Sequence, residues 1–211
     1  RMAGPGCVFE SPERIEKRVQ NGGEQKKTKF PEDRMEERIL IERLQQGDPG
    51  AIDELIDRYK NQVFAFIVRM VGDYTAAEDI FQETWIKVIR SINRFRGESK
   101  LSTWLFQIAL NQARDVMRKK GRHVYVPLDE IENLAGKPDI DVEQMASADQ
   151  VRKMVAELPD KMREVIILKY FHDLSDIEIA NVTGCPEGTV KSRLHRASKI
   201  LRKKWAYLES Y

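Results

Sequence analysis

The chain has few of the residues and segments from which several common classes of protein are built. Only 2 of its 211 residues are cysteine, Cys7 and Cys185. That number excludes a disulfide-rich scaffold, although it leaves one bond between the two open. No apolar run approaches the roughly 20 residues that a membrane-spanning helix needs, and no apolar segment typical of a signal peptide stands near the N-terminus. We therefore expect a soluble, cytoplasmic chain with two free thiols.

Sequence signatures of catalysis and of cofactor binding are also missing. The three histidines, His123, His172 and His195, lack the spacing of an HExxH zinc site, and no glycine-rich phosphate loop is present. The acidic residues within 139–143 lack the glycine and the final glutamate of a calcium loop. We therefore expect no catalytic residue, no metal and no cofactor.

Charge is abundant but almost balanced, with 36 Lys and Arg against 34 Asp and Glu and a net charge of +2. The bases are concentrated in 114–122 and 191–204, whereas nearly all charged residues of 129–149 are acidic. Local charge density matters more than the total for attracting nucleic acid. The two basic segments are therefore candidates for binding DNA or RNA.

Apolar residues recur at helical spacing in two blocks, and neither block contains a convincing strand. The first block, 35–121, has the pattern of four helices, of which the first would bury Met35, Ile39 and Leu44. Helix boundaries in this block are marked by residues that cap, start or stop helices: Asp48, Pro49, Gly72, and Thr75 with Glu78 as a capping box.

The rest of the chain divides into two non-periodic segments and a second helical block. Residues 1–34, interrupted by glycine and proline, are predicted to be a disordered N-terminal arm or a cloning remnant. Residues 122–147, which are acidic and lack periodicity, are predicted to be a flexible linker. The second block spans 148–211. The predicted fold is therefore all-α, with a four-helix domain and a helix-turn-helix domain joined by a flexible linker.

The second block contains the pattern of a helix-turn-helix motif. Ser175 and Glu178 form a capping box for a short helix, Gly184 supplies the turn, and Val190 anchors a long helix inward. The opposite face of that long helix consists of Lys191, Ser192, His195, Arg196 and Lys199. A helix in the major groove needs donors for base edges and cations for phosphates. This face is therefore predicted to bind DNA, against the simpler interpretation of a solvated basic surface.

A second candidate surface lies at the end of the first block, where aromatic residues precede basic ones. The residues are Phe95, Trp104 and Phe106, followed by Arg114, Arg118 and Lys119. Cations along a backbone together with flat or polar pockets for unstacked bases are typical of sites for single-stranded nucleic acid. The competing interpretation places Trp104 or Phe106, like Trp85, in the core.

These segments together resemble those of sigma factors, which direct bacterial RNA polymerase to promoters. Residues 77–87 resemble the polymerase-binding segment, and 95–109 are similar to the promoter-melting segment. Residues 158–165 and 188–196 look like the distal DNA-binding domain. The resemblance covers about residues 35–205 in the same order. The absence of a middle domain points to the extracytoplasmic-function (ECF) subgroup of the sigma-70 family.

The resemblance implies a role for each matched residue. Those that would contact the clamp helices of the largest polymerase subunit are Asp79, Gln82, Glu83 and Lys87. Those that would capture a base flipped from the −10 element or follow its backbone are Arg96, Ser99, Trp104, Asn111, Arg114, Arg118 and Lys119. Those that would read the −35 element are Lys191, Ser192, His195, Arg196 and Lys199.

The partners that the resemblance implies are core RNA polymerase, promoter DNA and an anti-sigma factor, often membrane-anchored. The polymerase would supply all bond-making chemistry, so the chain itself would not be an enzyme. The alternative is a helix-turn-helix transcriptional regulator with a helical sensor domain, which predicts a ligand pocket or dimer face in the first block. A structural helical scaffold would leave both basic clusters without a role.

Overall fold

The computed structural model describes residues 31–120 and 150–208, and all regular structure within these ranges is helical. The first half contains α1 (Pro31–Gln45), α2 (Pro49–Val71), α3 (Tyr74–Ser91), a 3-10 turn (Ile92–Arg94) and α4 (Leu101–Lys120). The second half contains α5 (150–156), α6 (Asp160–Ile166), a π-helical turn (Ile167–Phe171), α7 (Asp176–Thr183) and α8 (Glu187–Leu208). The all-α fold class is confirmed, while the segment assigned as a linker lies outside the described residues.

The core of the first domain is centred on α2, because this helix is apolar on most of its circumference. Phe66 is fully buried and packs edge-on against Phe106 of α4, with ring centroids 5.3 Å apart. Phe64 makes the matching contact with Phe81 of α3 at 5.2 Å. Phe106 therefore belongs to the core, as the competing interpretation held, and Trp85 is buried as well.

The first helix differs from its prediction in where it begins and in which face it buries. It begins at Pro31, four residues earlier than the sequence boundary, and proline is well suited to a first helical turn. Met35 and Ile39 are 60% and 50% exposed, whereas Leu40 and Leu44 are buried. The prediction for Met35 and Ile39 was wrong because Ile39 and Leu40 are neighbours and cannot share a face. Leu44 lies four residues after Leu40, and therefore on the same face, but five residues after Ile39.

Local capping signals were mostly correct. The side chain of Asp48 accepts a hydrogen bond from the Gly50 amide at 2.9 Å, and Gly72 ends α2 in the left-handed conformation at φ 66°. The capping box of Thr75 and Glu78 was wrong. Helix α3 begins earlier, at Tyr74, and Asp73 is its cap because its carboxylate accepts from the Ala76 amide at 3.0 Å.

The helix-turn-helix has the predicted boundaries. Ser175 and Glu178 form the reciprocal capping box at the start of α7, and Gly184 ends that helix at φ 70°. The carbonyl of Pro186 then accepts hydrogen bonds from the amides of Thr189 and Val190, which starts α8. Val190 is fully buried, so α8 is anchored from its first turn.

The two halves of the chain are in contact, which the sequence did not predict. Helix α4 packs against α7, and α2 packs against the π-helical turn. The buried apolar residues of both halves consequently form one contiguous cluster. Within the part of the chain that the structure describes, no helix is both long and apolar enough to cross a membrane.

Replacing the cap of α3 tests its corrected starting point. Asp73→Ala should lower the free energy of unfolding by about 1 kcal/mol, because an amide of the first turn loses its acceptor. Thr75→Ala is the matched control and should change stability by less than about half that amount. Urea unfolding followed by circular dichroism measures both. A larger loss for Thr75→Ala would place the cap at Thr75 after all.

Candidate nucleic-acid interface

The exposed face of α8 brings together all the residues that the helix-turn-helix pattern singled out. Lys191, Ser192, His195, Arg196 and Lys199 are exposed, while Val190, Leu194 and Ala197 on the opposite side are buried. Two of the exposed residues have partners on the same helix. Lys191 pairs with Glu187 at 2.6 Å, and the hydroxyl of Ser192 donates to the Thr189 carbonyl at 3.0 Å.

The turn before α8 is tied to that helix by a residue that the sequence analysis missed. Arg193 is half-buried and donates to the sulfur of Cys185 at 3.4 Å, and the same sulfur lies 3.2 Å from the Thr183 hydroxyl. Cys185 is a free thiol, whereas Cys7 lies outside the described residues. Arg193 therefore fixes the turn instead of joining the exposed basic face.

The segment that connects the 3-10 turn to α4 forms a loop, taken as residues 95–101 so that it includes the first residue of α4. Its first residue, Phe95, is buried and packs against the half-buried Trp104 with ring centroids 5.1 Å apart. Arg96, Glu98 and Lys100 are exposed, and Ser99 is partly exposed. Gly97 has φ 71°, a conformation that glycine adopts without strain. The loop therefore exposes polar side chains next to the packed rings of Phe95 and Trp104.

The outer side of α4 presents further predicted residues to solvent. Asn111, Arg118 and Lys119 are all exposed, and Arg118 pairs with Asp115 of the same helix at 3.0 Å. Surface pairs of this kind contribute little to stability and exchange readily for other partners. Together with the loop, these side chains form one polar and basic edge of the first domain.

Arg114 is the exception among the predicted DNA-contacting residues, because the second domain already binds its guanidinium. Nε and Nη2 donate to the two carboxylate oxygens of Glu164 at 2.8 and 2.7 Å, and Nη2 also donates to the Thr183 carbonyl at 3.2 Å. The hydrogen bonds to Glu164 raise the pKa of Arg114. The side chain of Glu164 is only 1% exposed, so this ion pair is largely shielded from water.

Other polar contacts surround this ion pair along the same domain boundary. Arg163 is buried and donates to the carbonyl of Met70 at the end of α2, at 3.0 Å. A cation is favourable at that position because the C-terminal end of a helix carries partial negative charge. Lys100 of the loop pairs with Glu178 of α7 at 2.8 Å. The available sequence signal was the position of Arg163 and Glu164 directly before the apolar run 165–168.

His172 closes the boundary on its apolar side. Its ring lies 5.7 Å from that of Phe66 and 4.6 Å from that of Phe106, and Nε2 is buried without a hydrogen-bond partner among the described residues. Burial, with a smaller contribution from the positive charge of Arg69, lowers the pKa of His172 from 6.5 to about 3. This closed arrangement, in which the two domains are in contact, therefore holds the imidazole in its neutral form.

The predicted polymerase-binding residues form a stripe on α3. Asp79, Gln82, Glu83 and Lys87 are all exposed, and the ammonium group of Lys87 donates to the side chain of Gln112 on α4. Two large apolar residues on the same side, Ile86 and Ile89, are exposed as well. An apolar centre with a charged rim is typical of a protein-binding surface. The apolar part of this stripe was not predicted from the sequence.

Family models match both halves of the chain: sigma-70 region 2 over residues 55–123 and sigma-70 region 4 over residues 148–201. The ECF RNA polymerase sigma factor SigW of Bacillus subtilis is 35% identical over 175 residues, which cover 77% of this chain and 93% of the relative. The ECF RNA polymerase sigma-E factor of Escherichia coli is 34% identical over 185 residues, which cover 82% of this chain and 95% of the relative.

Solved structures show the same architecture. CnrH in complex with the cytosolic domain of CnrY is similar with a TM-score of 0.61 and 26% identity, covering 82% of this chain and 97% of that one. RpoE of Bartonella quintana, in complex with the anti-sigma factor NepR, gives a TM-score of 0.58 at 26% identity, covering 72% of this chain and 94% of that one.

The environment of His172 predicts a pH-dependent stability. The folded chain binds fewer protons here than the unfolded chain between pH values of about 3 and 6.5. The contribution of His172 to the free energy of unfolding is therefore fully present above pH 6.5 and is lost as the pH falls. Between pH values of about 7.5 and 5.5 the loss should reach about 1.4 kcal/mol. Urea unfolding at the two pH values measures it.

Two variants separate this effect from the titration of other groups. His172→Phe keeps an aromatic ring but cannot take up a proton, so its stability should fall less over the same pH range. His195→Phe changes an exposed histidine and should retain the wild-type pH dependence. If His172→Phe also retained it, the imidazole of His172 would not be the group that titrates.

Proposed function

This chain belongs to the ECF sigma factors of the sigma-70 family, and from this premise we propose which of its surfaces perform each part of the work. A sigma factor binds core RNA polymerase, recognises the −10 and −35 promoter elements and opens the DNA for transcription initiation. The polymerase makes the phosphodiester bonds. The chain's own contribution is therefore binding energy, distributed over several surfaces.

The −35 element is assigned to the exposed face of α8. The observation that carries this assignment is the face itself: five polar or basic side chains are exposed on one side, opposite a buried apolar side. Arg196 and Lys199 can donate to guanine edges or phosphates, and Ser192 and Lys191 lie near the start of the helix. The first turn also has amides that face a phosphate favourably.

The −10 element is assigned to loop 95–101 and the outer side of α4. Capturing an unstacked base requires a pocket that replaces the lost stacking, which costs a few kcal/mol. Trp104 supplies a flat surface at the base of the loop, while Arg96, Ser99 and Asn111 supply donors and acceptors. Arg118 and Lys119 follow along α4, where they can bind the backbone of the separated strand.

The stripe on α3 is assigned to core polymerase. Asp79, Gln82, Glu83 and Lys87 provide the polar contacts to the clamp helices, and Ile86 and Ile89 provide apolar area that water covers in the free chain. Apolar area of this kind drives association, and the charged rim determines orientation. The assignment of the polar residues follows from the family, and that of the two isoleucines from their exposure.

Because Arg114 is held by Glu164, promoter binding in this proposal includes a conformational change. Its guanidinium cannot hold the carboxylate of Glu164 and a DNA phosphate with the same two donors. Both acceptors suit the planar, two-pronged geometry of arginine, so one partner can replace the other when the domains separate. The closed arrangement is therefore the form of the free chain, and separation of the domains accompanies binding to polymerase and promoter.

An anti-sigma factor is the further partner that we propose. The Bartonella RpoE was solved in complex with the anti-sigma factor NepR, and a partner of this kind would mask the polymerase- and DNA-binding surfaces. The place of action that we propose is the cytoplasm, where polymerase and promoter DNA are found. The family favours these assignments over a helix-turn-helix regulator with a sensor domain.

The direct test is reconstitution with core polymerase. The chain should support transcription from promoters selected among genomic fragments of its host and should open the strands around the −10 element, measured by permanganate footprinting. The regulator alternative makes the opposite prediction: tight duplex binding without polymerase and no strand opening.

Two substitutions should separate recognition from opening. Arg196→Ala should weaken binding to a duplex −35 element by about 1–3 kcal/mol if the side chain makes a bidentate base contact, measured by fluorescence anisotropy of the holoenzyme. Asn111→Ala should leave that affinity unchanged and slow strand opening.

Lys60→Ala is the control, because Lys60 is exposed on α2 and pairs with Asp57 of its own helix. It should alter neither quantity. The division of labour is wrong if Arg196→Ala and Asn111→Ala reduce duplex affinity equally while opening remains intact.

A further inference from the structure

Both ends of loop 95–101 are fastened to α1, a helix that the sequence analysis gave no role. The side-chain amide of Gln45 donates to the carbonyl of Phe95 at 2.9 Å. The carboxylate of Glu37 accepts from the amide of Leu101 at 2.5 Å. These partners are separated by 50 and 64 residues in the sequence. The two contacts therefore connect distant segments and are not local caps.

The contact of Glu37 replaces a cap that α4 lacks in its own sequence. Leu101 is the first residue of α4, and the first amides of a helix have no acceptor within it. The preceding residue is Lys100, whose side chain offers only donors. Glu37 supplies the missing acceptor from another helix, and its negative charge suits the positive end of α4. The end of the loop is thereby fixed to α1.

Gln45 fixes the other end where the 3-10 turn finishes. The amide of Phe95 donates to the Ile92 carbonyl, and its ring packs against Trp104. The carbonyl of Phe95 accepts from the side-chain amide of Gln45 instead of from a residue of the turn. Glu37 and Gln45 are eight residues apart on α1, about 12 Å along the helix axis. One helix can therefore hold both ends of the loop at once.

Helix α1 is a firm base for these two contacts. Arg43 pairs with Asp48 at 2.8 Å and with Glu54 at 2.7 Å, which ties α1 to the start of α2. Leu40 and Leu44 are buried in the core. The side chains of Glu37 and Gln45 are therefore presented from a helix that is itself fixed by packing and ion pairs.

Separation of the domains makes these contacts more important. In the closed arrangement Lys100 of the loop also pairs with Glu178 of α7. Once the second domain moves away, that contact is lost, and the remaining described ion pair within the loop is the long one between Arg96 and Glu98, at 3.9 Å. The geometry of the loop then depends on its two ends.

We propose that Glu37 and Gln45 are positioning residues for base capture, because they hold loop 95–101 in the shape that receives the unstacked base of the −10 strand. The proposal rests on the assignment of this loop to the −10 element. Its physical basis is preorganisation: a loop that is already ordered loses less conformational entropy when it binds. Neither residue touches the base itself.

The test uses the full chain assembled with core polymerase and a library of single-stranded DNA with randomised bases. Sequencing of the bound strands gives the enrichment of the best base over the worst at each position. Glu37→Ala and Gln45→Ala should each lower this discrimination about three- to tenfold, as expected for one lost hydrogen bond. Glu37→Gln, which keeps an acceptor oxygen, should restore most of the discrimination.

The matched controls are the neighbouring residues of the same type. Glu36→Ala changes an exposed side chain on α1, and Gln46→Ala changes one in the turn that follows it. Both should leave discrimination unchanged. Affinity for core polymerase and for a duplex −35 element should be the same in all variants. A merely structural role would instead lower these affinities together with discrimination, which would overturn the proposal.

Loop variants distinguish failure of this proposal from failure of the loop assignment. If Arg96→Ala and Ser99→Ala lose discrimination while Glu37→Ala and Gln45→Ala keep it, the loop captures the base and the positioning role is wrong. If the two loop variants also discriminate like the wild type, the loop assignment itself is wrong, and the positioning role is overturned with it.

Discussion

The closed structure depends on satisfying the buried carboxylate of Glu164. A carboxylate removed from water costs several kcal/mol unless cations and donors surround it. Lys161 of the same helix contributes one contact at 3.1 Å, but the two-pronged contact comes from Arg114 of the first domain. The charge of Glu164 is thus neutralised by the other domain, and this requirement holds α4 against α6, while the Thr183 carbonyl of α7 also accepts from Arg114.

The same requirement creates a competition that is useful to a sigma factor. Arg114 follows Asn111 on α4 by three residues, so its position on the helix suits a basic edge for the −10 strand. In the free chain that cation is occupied, and in the bound chain it would be exchanged for phosphate. Two DNA-binding surfaces of low affinity become effective only when the polymerase holds both domains at high local concentration. A chain that remains closed by itself would keep Arg114 from binding nucleic acid nonspecifically.

Features that depend on neighbouring residues could be predicted from the sequence. The capping box at Ser175, the turn at Gly184 and the buried Val190 are encoded within a few residues, and the exposed face of α8 follows from helical spacing. The cap of α3 was misassigned because Asp73 and Thr75 are both good caps and only the packed helix decides between them. The buried face of α1 was mispredicted for a related reason. Ile39 and Leu40 are both apolar, but only Leu40 packs into the core.

Contacts between distant segments could not be predicted in the same way. Periodicity identifies a buried face but not the surface that covers it, so the domain boundary around Arg163, Glu164 and His172 was missed. Glu37 and Gln45 could not be predicted as contacts of the loop, because each is an ordinary polar residue on a charged helix. Their partners are backbone atoms that lie 64 and 50 residues away in the sequence. The one signal available was the position of Arg163 and Glu164 directly before the apolar run 165–168.

The separation of the two domains is the claim that a single measurement tests most directly. Fluorophores placed on exposed Asp57 of α2 and exposed Lys203 of α8 would report the distance between the domains by energy transfer. We predict a short distance in the free chain and a clearly longer one in the open complex with core polymerase and promoter DNA. An open complex that forms while the distance stays that of the free chain would contradict the account.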